Sequence, residues 1–158
     1  MTDMLVKLYA LEVDWPAVTA HQQQGIHYRH PLGSETDLIL QWVQDRFSAG
    51  WHSEVAIALS QRPPRILIAV QDGHLLGMAC YDTAALGMFG PMAVAESHRG
   101  QGIGRLLLQL TLWHMGAMGY AYAVIGWVSS EEFYAKAVGA IAIPESRPGL
   151  WQTALKRS

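Results

Sequence analysis

Residues 96–108 read ESHRGQGIGRLLL and are the most informative segment of the chain. Its glycines alternate with other residues just before a run of leucines, which predicts a long helix beginning at Gly102. Glycine adopts backbone conformations closed to other residues and lets a ligand approach without meeting a Cβ atom. The first N–H groups of a helix lack partners within the helix and lie at the positive end of its dipole. The pattern therefore favours a turn that binds phosphate, with Arg99 and Arg105 supplying formal charge.

Spacing separates this turn from two common nucleotide-binding motifs. A P-loop requires lysine and then serine or threonine after its last glycine, whereas Gly104 is followed by Arg105 and Leu106. The dinucleotide fingerprint would need a glycine in place of Arg105, and no acidic residue lies near Val124 to hold a ribose. Both motifs are excluded, and the glycines alone leave an ordinary tight loop before a helix as the alternative.

Strands and helices alternate along the rest of the chain. The Asp72-Gly73 pair between two apolar runs is a strong hairpin signal. The predicted strands span residues 5–11, 26–30, 66–70, 74–81, 86–94, 120–126 and 150–155. The predicted helices span residues 15–24, 36–48, 102–118 and 129–137, while residues 49–64 give mixed signals. This order predicts an α/β domain built around one mixed sheet.

Composition narrows the class of protein. The chain has 158 residues, of which 51% are apolar and 15% charged, and its formal net charge is −2. That length fits a single domain over residues 1–158. Because the chain is slightly acidic and has no run of five like charges, it lacks the charge pattern of proteins that bind the phosphate backbone. We therefore expect no nucleic-acid partner.

The single cysteine and the lack of a long apolar run bear on location. Cys80 cannot form an intrachain disulfide, which favours a reducing compartment, and its apolar surroundings predict a small buried side chain. No stretch approaches the roughly 18 apolar residues of a membrane span, and the N-terminus is unlike a signal peptide. We expect a cytoplasmic protein without a membrane partner. No metal is expected either, because His27 and His30 would point to opposite faces of a predicted strand.

Two motifs carry a family resemblance. Residues 99–104 spell R-x-x-G-x-G and follow the predicted strand Met92-Ala93-Val94. This arrangement resembles the acyl-CoA-binding signature of the GNAT superfamily of N-acetyltransferases. Residues 133–140 read FYAKAVGA and are similar to the family's F-Y-x-K-x-G-F ending, with one extra residue and with Ala140 where an aromatic residue is usual.

The resemblance implies a fold and a cosubstrate. The fold is a central mixed sheet flanked by helices, in which two splayed parallel strands hold acetyl-CoA. The pyrophosphate would lie on backbone N–H groups of the loop and helix start, and the pantetheine arm would pair with the first splayed strand. The implied cofactor-binding residues are Met92, Val94, Arg99, Gly100, Gln101, Gly102, Ile103, Gly104 and Arg105. Within that strand Gly90-Pro91 predicts a bulge that would open the gap, with an edge strand that tolerates proline as the alternative.

The part of the chain before residue 26 is an addition to the resemblance. In element order the resemblance covers residues 26–155, and residues 1–25 form an extra strand and helix. With the low charge content, this extension suggests a homodimer contact, and a lid over the acceptor site is equally permitted.

The implied activity is transfer of an acetyl group from acetyl-CoA to a primary amine, on a small molecule or a peptide, by direct attack in a ternary complex. A strand N–H near Val94 would polarise the carbonyl, as an oxyanion hole does. Tyr134 is the candidate proton donor. Its ordinary pKa of about 10 exceeds the thiol value of about 8.5, so it stays protonated and can protonate the leaving sulfur. Direct transfer is favoured because Cys80, the single thiol of the chain, is expected in the core.

The general base has several candidates. No acid lies within residues 86–94, so a carboxylate there is excluded as the base. Glu54, Asp82 and His52 remain, and a chain of water molecules to bulk solvent would also serve.

Other side chains are candidates for contacts around the site. Trp51 and Trp127 can line an acceptor pocket. Ser129 and Ser130 can contact pantetheine, but both also suit N-capping of the helix that includes Glu131, and capping is favoured.

A non-catalytic acyl-CoA sensor is the alternative function, because it would keep residues 99–104 and need neither an acid nor a base. A purely structural or interaction module is a third class, and such a module would not bind coenzyme A.

Overall fold

Strands and helices surround one sheet in the computed structural model, which describes residues 1–156 and 158. The strands are β1 (Thr2–Lys7), β2 (His27–Arg29), β3 (Ile66–Gln71), β4 (His74–Tyr81), β5 (Met88–Val94), β6 (Tyr122–Val128) and β7 (Ile141–Ala142). The α-helices are α1 (Trp15–Gln23), α2 (Thr36–Gln44), α3 (Ala49–Ser60), α4 (Ile103–Ala117) and α5 (Glu131–Val138).

The sheet is mixed, as the sequence predicts. Its strand order is β2-β3-β4-β5-β6-β1-β7. Among the described strands, β5 and β6 run parallel and the other neighbouring pairs are antiparallel. The parallel pair is joined through α4, the helix that follows the glycine-rich turn, because parallel neighbours need a crossover connection.

The predicted hairpin between β3 and β4 is confirmed. Gln71 pairs with His74 across the turn. Asp72 has φ +49 and Gly73 has φ +75. Positive φ at both central residues is what a type I′ turn requires, and its twist matches that of the flanking strands.

Helices cover both faces of the sheet. Successive β3 residues point to opposite faces, so Leu67 and Ala69 pack in the cluster that contains α4, while Ile66 and Ile68 pack in the cluster that contains α2 and α3. Cys80 lies in the second cluster and is fully buried, as predicted.

Helix α4 is covered on more than one side. It spans 15 residues, and its buried Gln109 joins it to two other segments. The Asp14 N–H donates to Gln109 Oε1 at 3.0 Å, and Gln109 Nε2 donates to the Ala137 carbonyl oxygen at 3.0 Å. In the described part of the chain, neither α4 nor any other helix combines the length and apolar character needed to cross a bilayer.

The segment with mixed sequence signals forms α3. The predicted helix over residues 36–48 ends earlier, at Gln44. Ser48 then caps α3: its backbone is extended, and its Oγ accepts from the Trp51 N–H at 3.3 Å. The predicted helix is therefore shorter than expected, and a capping serine starts a second helix in the segment that gave mixed signals.

The strand predicted over residues 150–155 is wrong. Residues 149–153 form a 3₁₀ turn, and the strand in this region is β7, which pairs with β1. Gly149 has φ +59, outside the range of an extended strand. Trp151 packs edge-on against Trp127 with ring centroids 5.6 Å apart, so its aromatic character reflects this contact rather than sheet pairing.

Strand β1 lies inside the sheet, between β6 and β7. It spans residues 2–7 rather than 5–11, and its pairing with β6 runs from Thr2 opposite Val128 to Lys7 opposite Tyr122. The sequence leaves this segment as a dimer contact or a lid. In the structure its strand is an integral part of the sheet, beside one arm of the splayed pair.

Candidate active site

The parallel strands β5 and β6 separate into a gap. They pair at Met88 with Val124 and at Phe89 with Ile125, and the described residues contain no further pair between them. Both strands continue past this point. The backbone of β5 beyond Phe89 therefore has a free edge that faces the gap.

A bulge in β5 lies where the separation begins. Gly90 and Pro91 stand opposite a single β4 residue, Cys80. Gly90 has φ +120, a conformation suited to glycine. Pro91 has no N–H to donate to a ladder. The predicted bulge is confirmed.

Two residues of β5 direct their backbone groups into the gap. The Ala95 N–H donates to the Leu76 carbonyl oxygen at 2.7 Å, toward β4. Along an antiparallel ladder the direction of the backbone groups alternates, so in this register the N–H and C=O groups of Val94 and Met92 point away from β4. This edge can accept an extended amide-bearing chain.

The glycine-rich turn carries a row of free donors. Among the described residues, the backbone N–H groups of residues 100–105 donate to no acceptor. The first hydrogen bond of the helix ladder runs from the Leu106 N–H to the Gly102 carbonyl oxygen, at 3.1 Å. Gly100 has φ +79 and Gly102, the N-cap of α4, has φ +83. Free donors at the positive end of a helix fit a diphosphate.

Side chains contribute unevenly at this turn. Arg99 is exposed, and its Nε lies 3.4 Å from the Val94 carbonyl oxygen. Ile103 is buried in the core, and Arg105 forms an ion pair with Asp14 at 3.1 Å. Ile103 and Arg105 can thus contribute their backbone N–H groups to a ligand at the turn. The exposed Arg99 guanidinium can contribute positive charge.

A groove of about 480 Å³ runs between β5 and the start of α5. Its lining residues are Phe47, Trp51, Met92, Ala93, Val94, Arg99, Ser129, Ser130, Phe133 and Tyr134. Burial raises the pKa of Tyr134 above its ordinary value, so the hydroxyl keeps its proton at neutral pH. Four sequence-predicted residues from two distant motifs, Met92, Val94, Arg99 and Tyr134, meet in this one groove.

A pocket of about 390 Å³ adjoins the groove, and Trp51 lines both. Its lining residues are Met1, Gly50, Trp51, Glu54, Ala84, Met88, Phe89, Gly90, Pro91, Gly126, Trp127 and Trp151. Trp51 and Trp127, proposed from the sequence for one pocket, do lie together here. Trp151 and Gly126 also line it, although no sequence signal marked them.

Glu54 is the base candidate that reaches this pocket. Its Oε2 lies 3.3 Å from the Thr83 hydroxyl, which is also 3.0 Å from the Gly90 carbonyl oxygen and can donate to either. Burial raises the pKa of the Glu54 carboxyl, partly offset by the Thr83 hydrogen bond. Thr83, which the sequence does not single out, ties this carboxylate to the bulge.

The other base candidates are placed differently. The Asp82 side chain is 3% exposed and accepts hydrogen bonds from Arg65, from the Tyr120 hydroxyl and from the Gly87 N–H. These three hydrogen bonds engage the Asp82 carboxylate and hold the loop before β5. His52 lines neither the groove nor the pocket.

Capping is observed at the start of α5. The Ser130 Oγ accepts from the Phe133 N–H at 3.3 Å, as favoured from the sequence. Ser129 and Ser130 both line the groove as well. The cap fixes the first turn of α5 and so helps to place Tyr134.

Histidines and acids do not cluster as metal ligands do. Within residues 1–156 and 158, no group of three or more histidine, cysteine, aspartate or glutamate side chains is arranged to hold a metal ion. His27 is exposed on β2, and His30 Nδ1 lies 3.0 Å from the Ile66 carbonyl oxygen.

A mixed sheet with a bulged, splayed parallel pair beside a turn of free N–H groups is the fold of the GCN5-related N-acetyltransferases. Residues 36–140 match the model of the acetyltransferase (GNAT) family. The chain therefore belongs to the GNAT family. Strand β1 lies outside the matched residues, and no curated protein matches the chain significantly.

Solved structures share this fold at low identity. A GCN5-related N-acetyltransferase from Sphaerobacter thermophilus is 21% identical with a TM-score of 0.65, over 90% of this chain and 48% of that one. The glucosamine N-acetyltransferase region of a fungal multi-domain GH3 β-N-acetylglucosaminidase is 16% identical with a TM-score of 0.74, over 90% of this chain and 19% of that one. This chain thus spans less than half of either relative.

A third structure holds the cosubstrate. It is a GNAT family acetyltransferase from Brucella melitensis in complex with acetyl-CoA, 21% identical with a TM-score of 0.54, over 75% of this chain and 86% of that one. At this identity the likeness shows the fold alone, and the ligand belongs to that protein.

Proposed function

We propose that this protein transfers an acetyl group from acetyl-CoA to a primary amine by direct attack in a ternary complex. The observation that carries the proposal is the junction of two cavities at Trp51. On one side lies a groove with free strand amides and the Tyr134 hydroxyl, and on the other a pocket with the Glu54 carboxylate. Groups for binding, proton donation and proton removal converge on one stretch of β5.

Backbone groups would hold the cosubstrate. The N–H groups of residues 100–105 would bind the diphosphate at the positive end of α4, with Arg99 adding charge. The free N–H and C=O groups of Met92 would pair with the pantetheine amides, as a sheet edge pairs with an added strand, while the Val94 N–H faces the thioester carbonyl. When bound, acetyl-CoA supplies the acetyl group as a thioester.

Two side chains would move the protons. Glu54 takes the proton that the amine loses as its nitrogen bonds to the acetyl carbon. Tyr134 gives its proton to the sulfur as the carbon–sulfur bond breaks, and the Val94 N–H polarises the carbonyl oxygen. The products are an N-acetylated amine and the free thiol, after which solvent returns a proton to Tyr134 and removes one from Glu54.

A covalent route through the protein is disfavoured. Cys80 is fully buried, and burial raises the pKa of its thiol, so its nucleophilic thiolate is scarce. The amine therefore attacks the thioester directly.

Acetyl-CoA is expected to bind the protein and to release free thiol when an amine is present. At 100 times its dissociation constant, a ligand adds about 2.7 kcal/mol to the free energy of unfolding, so the melting temperature should rise. Thermal unfolding with acetyl-CoA and a thiol-detection assay over a panel of amines are the measurements. Stabilisation without transfer to any amine would favour the acyl-CoA sensor, and no stabilisation would remove the proposal.

Glu54→Gln is expected to lower kcat/KM for the amine at least tenfold at neutral pH. A base must be ionised, so in the wild type the logarithm of kcat/KM should steepen as pH falls through the pKa of Glu54. Since burial raises that pKa, the steepening should begin above the ordinary glutamate value of about 4.3 and should be absent from the variant. The pH profiles of both proteins test this.

Stability separates this result from misfolding. A raised carboxyl pKa means that ionised Glu54 costs stability above that pKa, so Glu54→Gln should not lower the melting temperature at neutral pH. Asp37→Asn, an exposed change in the first turn of α2, is the matched control and should leave the profile unaltered. An unchanged profile in Glu54→Gln would exclude Glu54 as the base.

A further inference from the structure

The walls of the pocket beside Glu54 are aromatic. Three indoles from separate parts of the chain line it: Trp51 from α3, Trp127 from β6 and Trp151 from the C-terminal 3₁₀ turn. Trp127 and Trp151 meet edge to face with centroids 5.6 Å apart. Such walls present flat apolar faces, which favour stacking with an aromatic ring and attract a cation.

The position of Trp127 is fixed by the N-terminal strand. Trp127 has φ +50, a conformation uncommon for a bulky residue. The backbone N–H of Trp127 donates to Asp3 Oδ1 at 3.0 Å, and Asp3 is buried in β1. The backbone at Trp127 is therefore held in place by a buried carboxylate, which preorganises one wall of the pocket.

The pocket offers one site for positive charge. Among the described side chains that line it, Glu54 is the one that ionises, and no lysine, arginine or histidine joins it. The remaining lining side chains are apolar or absent. A second ammonium group would find no second carboxylate among the described side chains of this pocket.

The pocket has the volume of a small-molecule site. Its volume of about 390 Å³ lies in the lower part of the range for such sites. A Cβ atom on Gly126 would come within 2.7 Å of Met88 Cε, so the bare backbone at Gly126 makes room for the Met88 side chain that lines this pocket. The cavity has room for one ring with a short side chain.

From these features, and resting on the proposed function, we infer that the acceptor is a monoamine carried on a compact aromatic body. The ammonium group lies at Glu54, and the ring lies between the indoles. Glu54 pairs with the ammonium ion, which loses its first proton to solvent, and Glu54 then takes the second proton as the nitrogen bonds to the acetyl carbon. The aromatic walls select the rest of the molecule. Polyamines and aminoglycosides carry further charges and are poor acceptors.

The test compares three amines at fixed acetyl-CoA: 2-phenylethylamine, n-butylamine and spermidine. We expect kcat/KM for 2-phenylethylamine to exceed that for n-butylamine at least tenfold and that for spermidine at least 100-fold. Equal or faster transfer to spermidine, or no difference between the two monoamines, would overturn the inference. A peptide acetylated faster than 2-phenylethylamine would do the same.

A matched pair of variants tests the aromatic wall. Trp127 and Trp113 are each 45% exposed, but Trp113 lies on α4 and does not line the pocket. In Trp127→Ala the ratio of kcat/KM for 2-phenylethylamine to kcat/KM for n-butylamine should fall close to one, whereas Trp113→Ala should preserve this ratio. Preserved discrimination in Trp127→Ala would contradict the assignment.

Direct binding distinguishes this inference from the proposed function. Titration calorimetry of the protein with 2-phenylethylamine at neutral pH should show binding that weakens at least tenfold in Glu54→Gln, with spermidine binding more weakly than the monoamine. If 2-phenylethylamine binds in this way but no amine is acetylated, acetyl transfer fails while the pocket assignment stands. If it does not bind and is not acetylated, the inference is wrong.

Discussion

Gly102→Val is expected to weaken acetyl-CoA binding about 100-fold or more. Gly102 has φ +83, which a β-branched residue does not adopt without strain, so the turn must change shape. The N–H groups of residues 100–105 would then no longer point to a common anion. Losing two hydrogen bonds to a charged group, at about 1.5–3 kcal/mol each, corresponds to that loss of affinity. Calorimetric titration with acetyl-CoA measures it.

Gly25→Val is the matched control for this experiment. Gly25 also has φ +83 and ends the turn after α1, with open space where a Cβ would lie. Both substitutions strain the backbone in the same way and should lower the free energy of unfolding. Gly25→Val should nevertheless keep the affinity for acetyl-CoA. Equal affinity in both variants would mean that the turn does not hold the cosubstrate.

Tyr134→Phe is expected to lower kcat about 100-fold or more, within the usual range for a lost general acid. The phenyl ring can still pack against Phe133, whose ring centroid is 5.0 Å away, so the groove should keep its shape. The dissociation constant of acetyl-CoA should therefore change less than about threefold. Steady-state kinetics and titration of the same preparation provide the two values.

The control for the tyrosine is Tyr122→Phe. Tyr122 begins β6, is exposed, and lines neither the groove nor the pocket. Removing the Tyr122 hydroxyl should therefore leave kcat unchanged. A wild-type rate in Tyr134→Phe would assign leaving-group protonation to solvent.

Local signals predicted much of the fold because their causes are local. Asp72-Gly73 specifies a type I′ turn through the φ values of two adjacent residues, and the glycines of residues 99–104 specify free N–H groups at the start of α4. The bulge at Gly90-Pro91 likewise follows from a missing N–H and a permissive backbone. Each of these features needs no information from distant parts of the chain.

The pocket could not be predicted in the same way. Glu54 was one of three base candidates because nothing within α3 shows which side chain faces the bulge, and Thr83 decides this across the fold. The local pattern around Trp151 predicts a strand, whereas in the structure Trp151 packs against Trp127. The role of Asp3 depends on β1 occupying the place next to β6. Such roles arise from sheet order, which local patterns do not encode.

The place of β1 also has a consequence for folding. Thr2 pairs with Val128, so β1 is synthesised long before β6, the neighbour with which it pairs. Contacts between sequence-distant strands form slowly, and an unpaired strand invites association with other chains. We expect the nascent chain to need shielding until β6 emerges, and the wall of the pocket at Trp127 to be among the last parts of the molecule to become ordered.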